Sequence, residues 1–142
     1  MAESQILHAS CVAVEGVAVL ILGRSASGKS GLALQLMSSG AVLVADDRTE
    51  VRIGASGIMA RSPDTLSGLI EARGVGILRA DTVDSARIAL VIDLDQTESE
   101  RLPMPHSASI LGHALPCLHK VEAPHFPAAI LQYLKCGRKD PS

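Results

Sequence analysis

A run of eight residues carries the spacing in this sequence that is most directly tied to chemistry. It matches the pattern G-x-x-x-x-G-K-[ST] and consists of Gly23, Arg24, Ser25, Ala26, Ser27, Gly28, Lys29 and Ser30. In a phosphate-binding loop of this pattern, the glycines let backbone N–H groups point at phosphate oxygens. The lysine reaches the terminal phosphates, and the serine hydroxyl can ligate Mg²⁺. The run therefore predicts a P-loop that binds the phosphates of a nucleotide.

The segments on both sides of this run have the patterns that a P-loop requires. Residues 17–22 form a short apolar run rich in β-branched residues, which is typical of a buried strand. Residues 32–37 repeat apolar side chains at helical spacing, and Ser38-Ser39-Gly40 is a stop signal. A helix that starts here adds a partial positive charge beside the phosphates.

A hairpin is predicted directly before the loop. Residues 6–14 read as one strand, and Glu15-Gly16 is a two-residue turn signal. If these two residues form the turn, counting outward places His8 opposite Gly23, at the mouth of the loop. A lone histidine in a strand is more often packed than catalytic, and this position makes a functional role for His8 as plausible as packing in the sheet. The antiparallel partner also predicts a mixed sheet, since P-loop strands are normally tied to parallel neighbours.

Two acidic segments are candidates for the carboxylate that a P-loop needs on its metal side. Asp46-Asp47 follows the apolar strand 41–45, and Asp93 ends the apolar run 89–92. Adjacent residues at a strand end point to opposite sides. One aspartate of the pair can therefore face a metal while the other faces an acceptor hydroxyl. A solvated turn is the plain alternative for the pair.

The segments after Asp47 predict small elements. Residues 48–53 and 57–60 read as a hairpin, and Ser62-Pro63-Asp64 begins a loop or a helical turn. Gly74 and Gly76 indicate a bend or a close backbone approach. On pattern alone, the neighbouring Glu71 and Arg73 read as a solvated ion-pair face.

The last third of the chain contributes one further strand and one helix. Residues 88–94 read as a buried strand, and residues 128–135 read as a short closing helix. Five prolines make the region 99–127 loop-rich. We assign no role to the four histidines of this region, His106, His113, His119 and His125.

Composition limits the partners and the compartment. A length of 142 residues predicts a single domain over 1–142, with residues 136–142 as a flexible tail. A net charge of −2 and 1% aromatic residues argue against nucleic acid and anionic lipid as partners. Three cysteines without metal spacing, no long apolar run and no signal peptide predict a cytoplasmic protein with reduced thiols and no membrane contact.

Four blocks in order resemble the catalytic domain of the HPr kinase/phosphorylase family, in its short form that consists of the C-terminal domain only. They are His8 in the strand before the turn, the P-loop 23–30, residues 43–47 ending in paired aspartates, and residues 69–78, similar to the family signature segment. The resemblance covers roughly residues 5–80. It implies an α/β fold with a P-loop and a mixed sheet, similar to phosphoenolpyruvate carboxykinase.

The resemblance also implies roles for individual residues. ATP and Mg²⁺ would bind at the P-loop, with Lys29 on the phosphates and with Ser30 and Glu71 as Mg²⁺ ligands. Asp47, with Asp46 as its close partner, would accept the proton of the target serine, and His8 would assist near the acceptor. These roles make Asp93 unnecessary as a metal ligand.

The implied activity is ATP-dependent phosphorylation of a serine on the carrier protein HPr, with removal of the phosphate by phosphorolysis as a second reaction. A ring-like homo-oligomer, a hexamer, is implied as well. The chain departs from the family pattern at Gly31, where an acidic residue is usual, and the arginine-containing Pro-Gly-Arg-Asn block has no clear counterpart in residues 115–131. Two other functions stay open from the residues alone: a small-molecule P-loop kinase and a non-catalytic nucleotide-sensing module.

Overall fold

The fold is described from a computed structural model, which describes residues 3–63 and 67–141. Within these ranges the elements follow in the order β1 (Ser4–Leu7), β2 (Ala9–Val14), β3 (Val17–Leu22), α1 (Lys29–Ser38), β4 (Val42–Ala45), β5 (Thr49–Gly54), β6 (Gly57–Arg61), β7 (Leu69–Ala72), β8 (Gly76–Arg79), β9 (Ala86–Thr97), β10 (His106–Ile110), β11 (His113–Lys120) and α2 (Phe126–Cys136). The turn expected to begin at Ser62-Pro63-Asp64 continues into residues 64–66, which lie outside the described residues.

The predicted hairpin before the loop is confirmed, and so is its register. Val14 pairs with Val17, and the antiparallel ladder continues to Ala9 opposite Leu22. Both turn residues have positive φ, 51° at Glu15 and 83° at Gly16, as a type I′ turn requires. This turn matches the right-handed twist of the two strands and therefore fixes which residues face each other.

The sheet is mixed, as predicted. Along one edge, β9 pairs with β3 in parallel; along the other it pairs with β6 antiparallel at its start and with β11 in parallel farther on. One face of the sheet buries an aliphatic cluster together with α1 and α2, which includes Ile21, Leu36 and Ile130. The opposite face buries a second cluster around Leu20, Val51 and Val91. Strand β3 is thus packed on both faces, and loop 23–30 begins at its carboxyl end.

The sheet curls back on itself. We call the place where its two ends meet, at His8 and residues 46–48, the corner. The strand order is β1-β5-β6-β9-β3-β2-β4. β1 leads into β2 through the single residue His8, while β4 leads into β5 through residues 46–48. The two ends of this path are therefore joined by short connections at one place. A β-bulge between Cys11 and Val12 shifts the pairing of β2 with β4 beside this corner.

Two sequence predictions about elements were wrong. Residues 6–14 form two strands rather than one: β1 pairs with β5, whereas β2 pairs with β3 and β4. The region 99–127 is not loop-rich throughout, because β10 and β11 form a regular hairpin. Its turn, Leu111-Gly112, has φ values of 50° and 78°, and Pro116 lies in β11 just before the pairing with β9 begins at Cys117. Proline is tolerated there because the strand pairs on one side only.

The glycines at 74 and 76 mark a bend rather than a close approach. β7 and β8 form a separate two-stranded sheet. A Cβ atom added at either glycine would meet no atom within 4 Å. Their positive φ values, 86° at Gly74 and 135° at Gly76, are what the tight connection requires. The hairpin brings Glu71 to the corner of the main sheet.

Candidate active site

The loop 23–30 joins β3 to α1 in a strained backbone conformation. Ala26 has a φ of 66° and Gly28 a φ of 100°. The loop is closed by a hydrogen bond from the N–H of Ser27 to the carbonyl of Arg24, at 3.1 Å. A side chain at Gly23 would collide with the hydroxyl of Ser27, so glycine is required at this position on steric grounds. Helix α1 begins at Lys29, so the last two residues of loop 23–30 belong to the first turn of the helix.

The side chain of Lys29 is held inside this loop. Its ammonium donates to the carbonyl of Gly23 at 2.7 Å and to that of Arg24 at 3.0 Å, and the residue is buried. A lysine cation is seldom buried unless it is paired. Here the two carbonyls hold the ammonium group at the centre of the loop, where it can contact a bound anion.

Asp46 is the hydrogen-bonding centre of the corner. Its Oδ1 accepts hydrogen bonds from the hydroxyls of Ser10 and Ser30, both at 2.7 Å. Its Oδ2 accepts from the backbone N–H of Glu71 at 3.0 Å. Three donors from β2, α1 and β7 therefore fix one carboxylate next to the hydroxyl that ends the loop.

Asp47 lies beside Asp46 but faces a different environment. It adopts a left-handed conformation with a φ of 67°, which Asp and Asn tolerate better than most residues. Its N–H donates to the hydroxyl of Ser10 at 3.2 Å, and its carbonyl accepts from the N–H of Ala9 at 3.1 Å. Its carboxylate is exposed, and Oδ1 lies 2.7 Å from Nε2 of His8. The backbone is thus fixed on both sides while the carboxylate is accessible.

A cavity of about 380 Å³ lies between these groups. Of the residues selected from the sequence, eight line it: His8, Ser25, Ala26, Gly28, Lys29, Ser30, Asp47 and Glu71. Four do not: Gly23, Arg24 and Ser27, which shape the loop from outside the cavity, and Asp46, which lies behind Ser30. Arg73 also lines the cavity and adds a second cation to it. The structure therefore brings the predicted residues together: one group lines the cavity, and the other lies directly behind it.

Asp93 does not take part in this arrangement. Its carboxylate accepts hydrogen bonds from the N–H of Asp95 at 2.9 Å and from the side-chain amide of Gln96 at 3.0 Å. Asp95 in turn accepts the backbone N–H of Arg24 at 3.0 Å. The two aspartates of β9 therefore support the start of the loop from behind, whereas Asp46 contacts Ser30.

Sequence reasoning missed Ser10 and Asp95. Ser10 is fully buried and bonds both aspartates of the pair. The available signal was a hydroxyl in the middle of an otherwise apolar strand, since a buried polar group needs a partner. Asp95 gave no comparable signal, because its contact with Arg24 spans 71 residues and depends on how β9 is placed beside β3.

With this geometry established, the comparison with known families is decisive. The family model described as the HPr serine kinase C-terminal domain matches residues 1–119. The chain belongs to this family.

Curated relatives agree with this assignment. The protein named HPr kinase/phosphorylase in Caldicellulosiruptor bescii is 39% identical over 124 residues, which are 78% of this chain and 40% of the relative. The protein of the same name in Aromatoleum aromaticum is 40% identical over 117 residues, which are 73% of this chain and 37% of the relative. The chain thus spans at most about two fifths of the length of these relatives.

A solved structure shares the fold. It is described as the Hpr(Ser) kinase/phosphatase from Coxiella burnetii, and it superposes with a TM-score of 0.78 over 92% of this chain and 88% of that chain. The sequence identity is 24%, so the match describes the shared architecture. In the part of this chain that the structure describes, neither helix has the length and apolar character to cross a membrane.

Proposed function

We propose that this chain is an ATP- and Mg²⁺-dependent protein-serine kinase that phosphorylates HPr. The observation that carries the proposal is the cavity between loop 23–30 and the His8–Asp47 pair. It has a cation-bearing loop on one side and an accessible carboxylate on the other, as transfer of a phosphoryl group to a hydroxyl requires. Membership in the HPr serine kinase family supports HPr as the acceptor.

The loop fits the phosphates of ATP. It lies between a buried strand and the start of a helix, and a P-loop pattern is a reliable sign of phosphate binding only in this context. Lys29 lies at its centre, and the amino end of α1 adds favourable electrostatic potential for an anion. We assign ATP phosphates to this loop, in a P-loop variant with a mixed sheet of the phosphoenolpyruvate carboxykinase type.

The donor set behind the loop fits Mg²⁺. The hydroxyl of Ser30 and the carboxylate of Asp46 are oxygen donors in direct contact, and Glu71 lines the same cavity. Mg²⁺ prefers oxygen ligands and is usually held by one or two carboxylates together with substrate phosphates. When bound, Mg²⁺ would neutralise charge on the phosphates. We assign Ser30 and Glu71 as ligands, and we add Asp46 because of its contact with Ser30.

Asp47 is positioned to accept the proton of the target serine. As the serine oxygen bonds to the terminal phosphorus of ATP, its proton moves to the carboxylate of Asp47, and ADP leaves. His8 contacts the same carboxylate and holds its orientation.

In the reverse direction, inorganic phosphate attacks phosphoserine, protonated Asp47 returns its proton to the serine oxygen, and pyrophosphate is formed. We propose this phosphorolysis as a second activity; assembly into a ring-like homo-oligomer stays a prediction.

The test is HPr-dependent turnover of ATP. Purified chain, ATP and Mg²⁺ are mixed with HPr, and the release of ADP is followed by a coupled assay. The matched control is an HPr variant whose target serine is replaced by alanine. Release of ADP that requires the serine supports the kinase. ATP binding without any release of ADP contradicts it and favours a nucleotide sensor, while release that is stimulated by a small hydroxyl compound instead of HPr favours a small-molecule kinase.

A further inference from the structure

Two histidines and a glutamate meet at a place that the proposed kinase reaction does not use. Glu98 directly follows β9, His106 begins β10, and His119 is the second-last residue of β11. Their potential ligand atoms all lie within 4.8 Å of one another, and all three side chains are partly buried. None of them lines the cavity beside loop 23–30. The cluster is therefore separate from the candidate active site.

The fold positions these side chains through strand pairing. His106 pairs with Cys117 across the β10–β11 hairpin, so His119 lies two residues farther along β11 on the same face. The N–H of Glu98 donates to the carbonyl of Lys120 at 2.8 Å, which fixes Glu98 beside the end of β11. Three different segments, the end of β9, the start of β10 and the end of β11, thus contribute one side chain each, and backbone hydrogen bonds hold all three segments.

The side chains are arranged closely enough to share one ion. Nε2 of His106 lies 2.8 Å from Oε1 of Glu98, and the rings of His106 and His119 stack at a centroid distance of 3.9 Å. Two nitrogen ligands of one tetrahedral zinc ion are about 3.4 Å apart, given metal–nitrogen bonds of about 2.1 Å. The ligand atoms of the cluster all lie within 4.8 Å of one another, so they are at most about 1.4 Å farther apart than this separation.

The chemistry of the donors selects the class of metal. Imidazole nitrogen is a good ligand for zinc, copper, iron and nickel, whereas Mg²⁺ and Ca²⁺ prefer oxygen. The carboxylate of Glu98 would supply an oxygen ligand beside the two imidazole nitrogens. We propose that Glu98, His106 and His119 form a binding site for a divalent first-row transition-metal ion, with zinc favoured. Three protein ligands leave one position of a tetrahedral zinc ion for water.

The site would connect the end of β9 to the β10–β11 hairpin. An ion that binds the folded chain and not the unfolded chain stabilises the fold in proportion to its affinity and concentration. Zinc should therefore raise the melting temperature of the protein. The proposal does not depend on the kinase activity, because neither the site nor its readout involves ATP or HPr.

The experiment uses the full chain without an affinity tag, after removal of metals with a chelator. Zinc binding is measured by isothermal titration calorimetry, and Co²⁺ serves as a spectroscopic probe of nitrogen ligation. The variants are Glu98→Gln and His119→Gln; the matched control is His113→Gln, which changes an exposed histidine of the same strand. We expect one zinc ion per wild-type chain, and an affinity at least about 100-fold lower in the two ligand variants, since even indirect contacts to a metal site contribute 10–100-fold. The control should bind like the wild type.

Two results would overturn the proposal. One is the absence of stoichiometric zinc binding by the wild-type chain. The other is equal affinity in the wild type and both ligand variants, which would locate the ion elsewhere, for example at the His8–Asp47 pair. Circular dichroism checks that each variant is folded, and His106→Gln provides a third ligand variant if one of the others unfolds.

Discussion

Nε2 of His8 lies 2.7 Å from Oδ1 of Asp47, although the two residues are 39 positions apart in the sequence. The contact exists because the sheet curls: His8 connects β1 to β2, and Asp47 lies in the connection from β4 to β5. The ends of the strand path meet at this pair. The curl of the sheet therefore determines where the carboxylate of Asp47, the proposed base, lies.

Replacement of Asp47 by asparagine should abolish most of the phosphotransfer. Asparagine tolerates the left-handed backbone at this position, so the variant removes the charge with little strain, whereas alanine would add strain. The turnover number should fall by about 10²–10⁴-fold, the usual contribution of a positioned base. Steady-state kinetics with HPr measures it, and calorimetry should find the ATP affinity nearly unchanged. Asp84→Asn, at an exposed position outside the cavity, is the control: an equal loss of activity there would show that the effect is not specific to Asp47.

Replacement of His8 by glutamine should lower turnover less than the change at Asp47. Both side chains are largely exposed, so their contact is worth about 0.2–1 kcal/mol, which corresponds to a decrease in turnover of at most about fivefold. The KM for ATP should stay the same, because His8 faces the acceptor side. A changed KM for ATP with normal turnover would place His8 on the nucleotide instead.

Replacement of Lys29 by methionine should reduce activity by about 10²–10³-fold, the usual loss when one donor to the charge of the transition state is removed. Methionine keeps the length and apolar stem of lysine, so the loss reports on the ammonium that contacts Gly23 and Arg24. Kinetics and ATP titration measure the effect. Lys135→Met, at an exposed position of α2, is the control. Retained activity in Lys29→Met would rule out the P-loop assignment.

Replacement of Ser10 by alanine should destabilise the fold. The buried hydroxyl donates to Asp46 and accepts from the N–H of Asp47, so its removal leaves both groups short of a partner. The free energy of unfolding should decrease by about 1–3 kcal/mol, as measured by urea denaturation. Ser107→Ala, at an exposed position of β10, should change it by less than about 0.5 kcal/mol. Equal effects in the two variants would show that Ser10 is not essential to the corner.

Only one of the three thiols should react in the folded protein. Cys11 and Cys117 are buried, and Cys136 is exposed. Burial raises the pKa of Cys117 to about 11, and burial raises the pKa of Cys11 even further. Because a raised pKa keeps the thiol neutral, about one Cys117 side chain in a thousand is a thiolate near pH 8. A chromogenic disulfide reagent should therefore detect one fast thiol, absent in Cys136→Ser, and all three after denaturation. Fast reaction of Cys136→Ser would contradict the burial of the other two.

The parts of the fold that local sequence determines could be predicted. The turn at Glu15-Gly16 sets a register over six residue pairs, and this register correctly placed His8 at the mouth of the loop. The change of partner at His8 could not be predicted, because residues 6–14 carry no turn signal at or beside His8. The β10–β11 hairpin was missed because proline was read as a breaker, whereas Pro116 lies before the pairing with β9 begins.

The site was predicted where its residues form a pattern in the sequence, as in loop 23–30 and the aspartate pair. It could not be predicted where contacts cross the sheet. Ser10 and Asp95 contribute through partners that are 36 and 71 residues away. The cluster of Glu98, His106 and His119 has no characteristic spacing either, because it depends on the pairing of three strands.

The most direct test of kinase activity is the intact mass of HPr after incubation with this chain, ATP and Mg²⁺. We expect the addition of one phosphoryl group, located on a serine, with the wild-type chain, and none with Asp47→Asn although that variant still binds ATP. An unchanged mass of HPr with the wild-type chain, under conditions where ATP binding is demonstrated, would show that this chain is not an HPr kinase.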